Sequence, residues 1–207
     1  MLELDRARVR LLDGAGRRFD AIARAWVADT ASGGTPVSMG EAVAWLQRES
    51  GAPLREPIGV IGPREAGAEQ RAAAETIGVG LARMGLAVLC GGREGVMEAV
   101  ARGVAKERGV SIGLLPEPDT RAANPHLSVV LATGIGEARN AVIARASFCL
   151  VAIGDSYGTL SEVALGLQFG KSVFGVAGAS AVHGVRACAT PEAALDAVAR
   201  LVLGVAG

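Results

Sequence analysis

Phe148-Cys149-Leu150-Val151-Ala152-Ile153-Gly154-Asp155-Ser156-Tyr157-Gly158-Thr159-Leu160-Ser161-Glu162-Val163-Ala164 is the stretch from which the fold is read. Its apolar opening, residues 148–153, has the length and composition of a strand buried on both faces of a parallel sheet. Gly154 and Gly158 bracket a turn in which the main chain is open to a ligand. From Thr159 the spacing of Leu160, Val163, Ala164 and Leu167 predicts a helix that turns this stripe to the sheet, with Ser161 and Glu162 beside the turn. A strand, a glycine turn and a helix start aim backbone N–H groups into the crevice at the carboxyl end of a sheet, where anions bind.

Working outward, the same alternation recurs. Apolar runs at 58–61, 87–90, 111–115, 128–132 and 172–176, and a short one at 186–189, read as strands. Helical patterns at 67–84, from Val96, around Arg139 and Asn140, and behind Thr190-Pro191-Glu192 lie between or after them. Strands alternating with helices imply right-handed crossovers and a parallel sheet, so the expected fold is three-layer α/β, Rossmann-like, with helices on both faces. Gly91-Gly92-Arg93-Glu94-Gly95-Val96-Met97 is a second glycine turn entering a helix, and Gly62 and Arg64 follow the first strand of the series.

Residues 1–56 read differently. Asp13-Gly14-Ala15-Gly16 between two short strands predicts a hairpin, and Ser38-Met39-Gly40-Glu41 is a capping box that opens a helix bearing Ala42, Val43 and Leu46. Ala52-Pro53-Leu54-Arg55-Glu56-Pro57 marks the boundary. The expected organisation is an N-terminal extension, 1–56, too small for a core of its own, and a ligand-binding domain, 57–207.

Composition narrows the function. Half the residues are hydrophobic but only 3% are aromatic, so the core is aliphatic and the 29 glycines serve turns and close packing. Basic and acidic residues balance at 21 each, which gives no field to draw nucleic acid or an anionic membrane surface. The first residues lack the basic-then-apolar pattern of a signal peptide, and no apolar run reaches membrane-spanning length, which gives a cytoplasmic expectation. Three scattered cysteines, Cys90, Cys149 and Cys188, form neither a disulfide framework nor a metal-ligand spacing, so no metal is expected.

Three motifs are weighed against this frame. Gly59-Val60-Ile61-Gly62-Pro63 is not G-x-G-x-x-G, which argues against NAD, and Gly170-Lys171-Ser172 runs from helix to strand, the reverse of a P-loop. Gly154-Asp155-Ser156-Tyr157-Gly158 satisfies G-x-S-x-G and keeps a serine hydrolase using Ser156 as a minor alternative. Against that alternative, His183 is the only later histidine and Glu162 the only acid between the two.

Gly91-Gly92-Arg93-Glu94-Gly95-Val96-Met97, Gly136-Glu137-Ala138-Arg139-Asn140 and Gly158-Thr159-Leu160-Ser161-Glu162 together resemble the LOG/SLOG superfamily of lysine-decarboxylase-like Rossmann proteins, over about residues 57–203. Within it the chain looks like the branch that holds the molybdenum cofactor carriers. The resemblance implies a phosphorylated nucleotide- or pterin-type ligand, no required cofactor, the molybdenum cofactor as cargo, and a homodimer or homotetramer. It also implies an alternative, phosphoribohydrolase cleavage of nucleoside 5'-monophosphates, with Arg139 and Glu162 in the catalytic positions. The ligand is expected against Gly62, Arg64, Gly91, Gly92, Arg93, Gly95, Val96, Met97, Asn140, Gly154, Asp155, Ser156, Gly158 and Thr159, with its phosphate across Gly91 to Gly95 and Gly154 to Thr159. Two departures weigh against hydrolysis: Asp155 and Ser156 stand where the hydrolases carry a diglycine, and Arg139 is followed by Asn140 rather than lysine.

Overall fold

A computed structural model describes residues 1–30 and 33–205. The chain divides into two compact units, one of residues 1–55 with 196–207 and one of residues 56–195.

The larger unit alternates throughout: β6 (Ile58–Ile61), α2 (Ala68–Arg83), β7 (Val88–Cys90), α3 (Val96–Lys106), β8 (Ser111–Leu115), β9 (Val129–Ala132), a 3-10 turn (Gly136–Ala138), α4 (Arg139–Ala146), β10 (Leu150–Ile153), α5 (Tyr157–Gln168), β11 (Val173–Val176) and β12 (Val185–Ala187). The strands form one seven-stranded sheet in the order β12-β11-β10-β6-β7-β8-β9, every pair parallel. All residues of β6, β7, β10 and β11 are buried, as strands covered by helices on both faces must be. Helices α2 and α3 pack together, as do α4 and α5, and the two pairs make the outer layers of a Rossmann-like fold. The first pair crosses through Gly78 and Gly103: a Cβ on Gly78 would come within 3.2 Å of the Gly103 Cα.

The chain builds β6 to β9 outward on one side and then returns to place β10 on the other side of β6. That reversal opens a crevice at the carboxyl ends of β6 and β10, the place where open α/β sheets bind ligands.

Helix α5 starts earlier and buries another face than the apolar stripe suggested. Ser156 is its N-cap, its Oγ accepting the Thr159 N–H at 3.1 Å, so Tyr157 and Gly158 are already helical. Of Leu160, Val163, Ala164 and Leu167 only Val163 is buried, and Leu160 and Ala164 are exposed. The inward stripe is Thr159, Glu162, Val163 and Gly166. The reason lies outside the helix: Arg139 partners Glu162, and Gly166 lets the helix close on Leu150.

In the other unit, the hairpin foreseen around Gly14 is β2 (Arg10–Asp13) with β3 (Arg17–Asp20). It belongs to a five-stranded antiparallel sheet, not to a lone hairpin, with β1 (Leu2–Asp5), β4 (Ala25–Ala28) and β5 (Thr35–Val37) in the order β4-β3-β2-β1-β5. Strands of three or four residues are too short to show a period of two, which is why the sequence pattern passed over them. Leu2, Leu4, Leu11, Leu12 and Phe19 are buried, together with Ala42, Val43, Trp45 and Leu46 of α1 (Met39–Arg48), whose capping box of Ser38 and Glu41 is formed. Phe19 and Trp26 face each other across β3 and β4 with ring centroids 5.3 Å apart. Helix α6 (Pro191–Val202) begins in the larger unit and passes at Asp196 into this one, where the Trp26 indole donates to the Leu203 carbonyl at 2.8 Å.

Candidate functional site

The crevice between β6 and β10 holds a cavity of about 440 Å³. Its wall is drawn from the ends of β6 (Ile61, Gly62, Arg64) and β7 (Gly91, Arg93), from Met97 of α3, from Glu137, Arg139 and Asn140 at the start of α4, and from Ser156, Tyr157, Gly158, Thr159, Ser161 and Glu162 of the α5 entrance.

Arg139 and Glu162 form its buried base. An Arg139 Nη1–Glu162 Oε1 distance of 3.3 Å joins two side chains that are each about 95% removed from solvent. Burial pushes the Glu162 carboxyl up to about 8, against the pull of the Arg139 guanidinium, with Glu137 adding to the rise. The carboxyl is therefore held largely protonated at neutral pH. The guanidinium lies against the main chain of Gly91: a Cβ there would stand 2.6 Å from Arg139 Nη2 and 2.6 Å from Met97 Sδ. Only glycine leaves the arginine this position.

Two polar atoms of the wall are buried without a hydrogen-bond partner, Arg139 Nε and Asn140 Oδ1. Asn140 spends its amide on Ser161, with Nδ2 donating to Oγ at 2.9 Å while the Ser161 hydroxyl donates to the Gly158 carbonyl at 2.7 Å. One donor and one acceptor thus remain beside the first turn of α5, whose leading N–H groups have no acceptor within the helix.

The outer arginines carry carboxylate partners. Arg64 meets Glu94 through two bonds of 2.7 and 3.2 Å, both side chains exposed. Arg93 pairs with Glu117 and stands 3.7 Å from Glu137. The glycine turn carrying Arg93 is pinned by the buried Asn124, whose Nδ2 donates to the carbonyls of Gly92 (3.1 Å) and Arg93 (3.0 Å).

Of the residues singled out in the sequence, Gly62, Arg64, Gly91, Arg93, Met97, Arg139, Asn140, Ser156, Gly158, Thr159 and Glu162 come together in this wall. Gly92, Gly95, Val96, Gly154 and Asp155 are not among its lining residues. Gly92 and Gly95 shape the turn with φ of 78° and 71°, Val96 packs beneath Gly62, and the Gln70 side chain occupies the space beside Gly154. Asp155 is exposed. Sequence reasoning passed over Ile61, Glu137, Tyr157 and Ser161 as wall residues, and Asn124 as a support. Tyr157 and Ser161 sit inside the quoted motifs, whereas Asn124 comes from a loop with no local signal.

Ser156 Oγ is engaged within its own helix start, 2.9 Å from Thr159 Oγ1 and bonded to the Thr159 N–H. His183 lines a different hollow, shared with Cys188. Cys90 lies buried under the glycine turn, its Sγ 3.8 Å from the Met97 carbonyl, and burial pushes its thiol up to about 11. Among the described residues no group of three or more His, Cys, Asp or Glu side chains is placed to hold a metal ion, and no helix is long and apolar enough to cross a membrane.

This geometry has counterparts among known proteins. A protein of Archaeoglobus fulgidus with no described function is 36% identical over 139 residues, 67% of this chain and 91% of that one. The solved molybdenum cofactor binding protein of Rippkaea orientalis matches 72% of this chain and 99% of its own at 31% identity and a TM-score of 0.69. The molybdenum cofactor carrier protein of Chlamydomonas reinhardtii matches the same shares of the two chains at 32% identity and a TM-score of 0.66. The family model described as the SLOG cluster4 family matches residues 55–199, which span the whole parallel sheet and every residue of the cavity wall, and the chain belongs to that family.

Proposed function

We propose that this chain binds a phosphorylated nucleotide- or pterin-type ligand in the cavity at the carboxyl edge of the sheet and holds it as a carrier, with the molybdenum cofactor as the favoured cargo. The observation that carries this reading is the pair of buried, unpartnered atoms Arg139 Nε and Asn140 Oδ1 beside the α5 entrance. Leaving a buried polar group unpaired costs about 1–3 kcal/mol, and a bound anion with its own donors removes that cost at both atoms. The ligand's phosphate lies at the first turn of α5, where the helix dipole favours negative charge. Gly158, where a Cβ would meet nothing nearer than 3.7 Å, lets it approach the main chain.

Carriage is favoured over turnover by two things. The Rippkaea and Chlamydomonas proteins are named for binding and carrying the molybdenum cofactor. Glu162, its carboxyl raised to about 8, carries little negative charge at neutral pH with which to stabilise an oxocarbenium-like transition state. A cytoplasmic location and assembly as a homodimer or homotetramer belong to the same proposal. The test is anaerobic purification from cells that make the cofactor, followed by assay of protein-bound molybdenum and oxidised pterin. Near-stoichiometric pterin is expected; protein that neither retains nor takes up the cofactor sinks the carrier reading.

A second reading, phosphoribohydrolase activity, is favoured by one observation: Glu162 and Arg139 both face the cavity. In that reading Glu162 stabilises the oxocarbenium-like transition state and Arg139 positions the phosphate. Ribose 5-phosphate released from nucleoside 5'-monophosphates by the native chain and not by Glu162→Gln would establish it.

A further inference from the structure

Resting on the reading of the cavity as a phosphorylated-ligand site, we infer that Tyr157 is its ring platform: the ligand carries a planar heteroaromatic ring that stacks on the phenol face, next to the phosphate. Tyr157 is the chain's one tyrosine. The other aromatic residues of the larger unit, Phe148, Phe169 and Phe174, are buried or half-buried, and Phe169 is covered by the Arg145 guanidinium 3.7 Å from its ring centroid. Tyr157 alone is left bare, 94% exposed, and it lines the cavity.

Its place in the helix makes the exposure useful. Tyr157 is the first residue of α5, directly after the N-cap Ser156 and before Gly158, which has no side chain to lean against the ring. A phosphate seated on the first turn of α5 therefore has Tyr157 as a neighbour, and a ring joined to that phosphate comes within reach of the phenol. Exposed aromatic faces are sequence-tolerant platforms for flat heterocycles, because every such ring presents a π-face. Ile61 and Met97 add apolar surface to the same wall that carries Arg139, Asn140 and Ser161. The wall thus offers an anion its polar atoms and a flat ring the phenol face of Tyr157. A purine nucleoside 5'-monophosphate and a pterin phosphate share this division; ribose 5-phosphate has only the anionic half.

Isothermal titration of the full chain with AMP and with ribose 5-phosphate tests the assignment in the native protein, Tyr157→Ala and Tyr157→Phe. The inference expects Tyr157→Ala to weaken AMP roughly 5- to 100-fold, the loss of one stacking partner, to leave ribose 5-phosphate within about two-fold, and Tyr157→Phe to behave as native. Equal loss for both compounds, or no loss for AMP, overturns it while leaving the phosphate site intact. A native chain that takes up neither compound removes the site itself and the inference with it. A Tyr157→Ala chain whose assembly mass falls in sedimentation, with the ratio of the two affinities unchanged, assigns the ring to a contact between copies and overturns the inference.

Discussion

Arg139 and Glu162, 23 positions apart in the chain, meet at 3.3 Å with both side chains buried, one at the start of α4 and the other in the first turns of α5. The pair joins the two helices behind the cavity and fixes the charge state of its base. Removing Arg139 leaves the buried Glu162 carboxyl without this hydrogen-bond donor, and an unpaired buried polar group costs about 1–3 kcal/mol. Arg139→Met should therefore lower the urea midpoint more than loss of the exposed Arg64–Glu94 pair through Arg64→Ala, which should stay within about 1 kcal/mol of native. Equal midpoints for the two variants would contradict the structural role of Arg139.

The same pair sets a pH dependence. Glu162 titrates near 8 in the folded chain against an ordinary 4.5, so between those values the folded state holds a proton that the unfolded state has lost. Its contribution to stability is complete below about 4.5 and is lost as the pH rises through about 8. Urea unfolding should show stability falling across this window with a slope of up to about 1.4 kcal/mol per pH unit from this group. Glu162→Gln should flatten that part of the curve; identical curves would place the proton elsewhere.

Two glycines of one turn should fail in different ways. A Cβ at Gly91 meets the ends of flexible side chains, Arg139 and Met97, which can shift at the expense of the site. Gly91→Ala should fold and lose about ten-fold or more in AMP affinity, the loss of one hydrogen bond to a charged group when Arg139 is displaced. At Gly95, with φ of 71°, a Cβ collides with the carbonyl oxygens of Pro63 and Arg64, and no side chain can yield. Gly95→Ala should cost about 2 kcal/mol or more in stability, read as a lowered thermal midpoint.

Ser156 tests the hydrolase-like motif directly. Its hydroxyl caps α5, so Ser156→Ala should cost about 1 kcal/mol in thermal unfolding. A fluorophosphonate probe should leave the serine of the folded native chain unmodified. Labelling at Ser156 would restore the nucleophile reading.

The thiols should react in order of exposure. Burial raises Cys90 to about 11 and Cys149 to about 12, whereas Cys188 is only half-buried. Ellman's reagent at pH 8 should titrate one thiol quickly in the folded chain and all three in denaturant. Fast reaction of a second thiol without denaturant would show that the folded chain opens around Cys90 or Cys149.

What the sequence made legible is what neighbouring residues decide. Leu150–Ile153 reads as a buried strand because four consecutive apolar side chains need cover on both faces, and Gly91-Gly92 reads as a turn because its backbone demands it. The parallel order of the sheet follows from the alternation of such segments with helices. The sequence also brings Arg139 and Glu162 together; what it does not show is which side chains such a distant contact draws inward. Glu162 lies off the apolar stripe of its helix, and its burial depends on Arg139. The exposed Leu160 was counted as core for the same reason, since periodicity alone does not say which of two adjacent stripes a distant partner will claim. Asn124, which holds the Gly92 turn from 32 residues away, lies in a loop where no spacing marks it. The short strands β1, β4 and β5 gain their identity from the sheet that pairs them.

The passage of α6 from one unit to the other has a bearing on biogenesis. The unit that contains the first strands also contains residues from Asp196 onward, and its Trp26 indole is satisfied by the carbonyl of Leu203. During translation those strands emerge long before their last partner exists. The strand that carries Trp26 is thus made before the parallel sheet and its carbonyl partner after it, so this unit closes only once Leu203 has emerged.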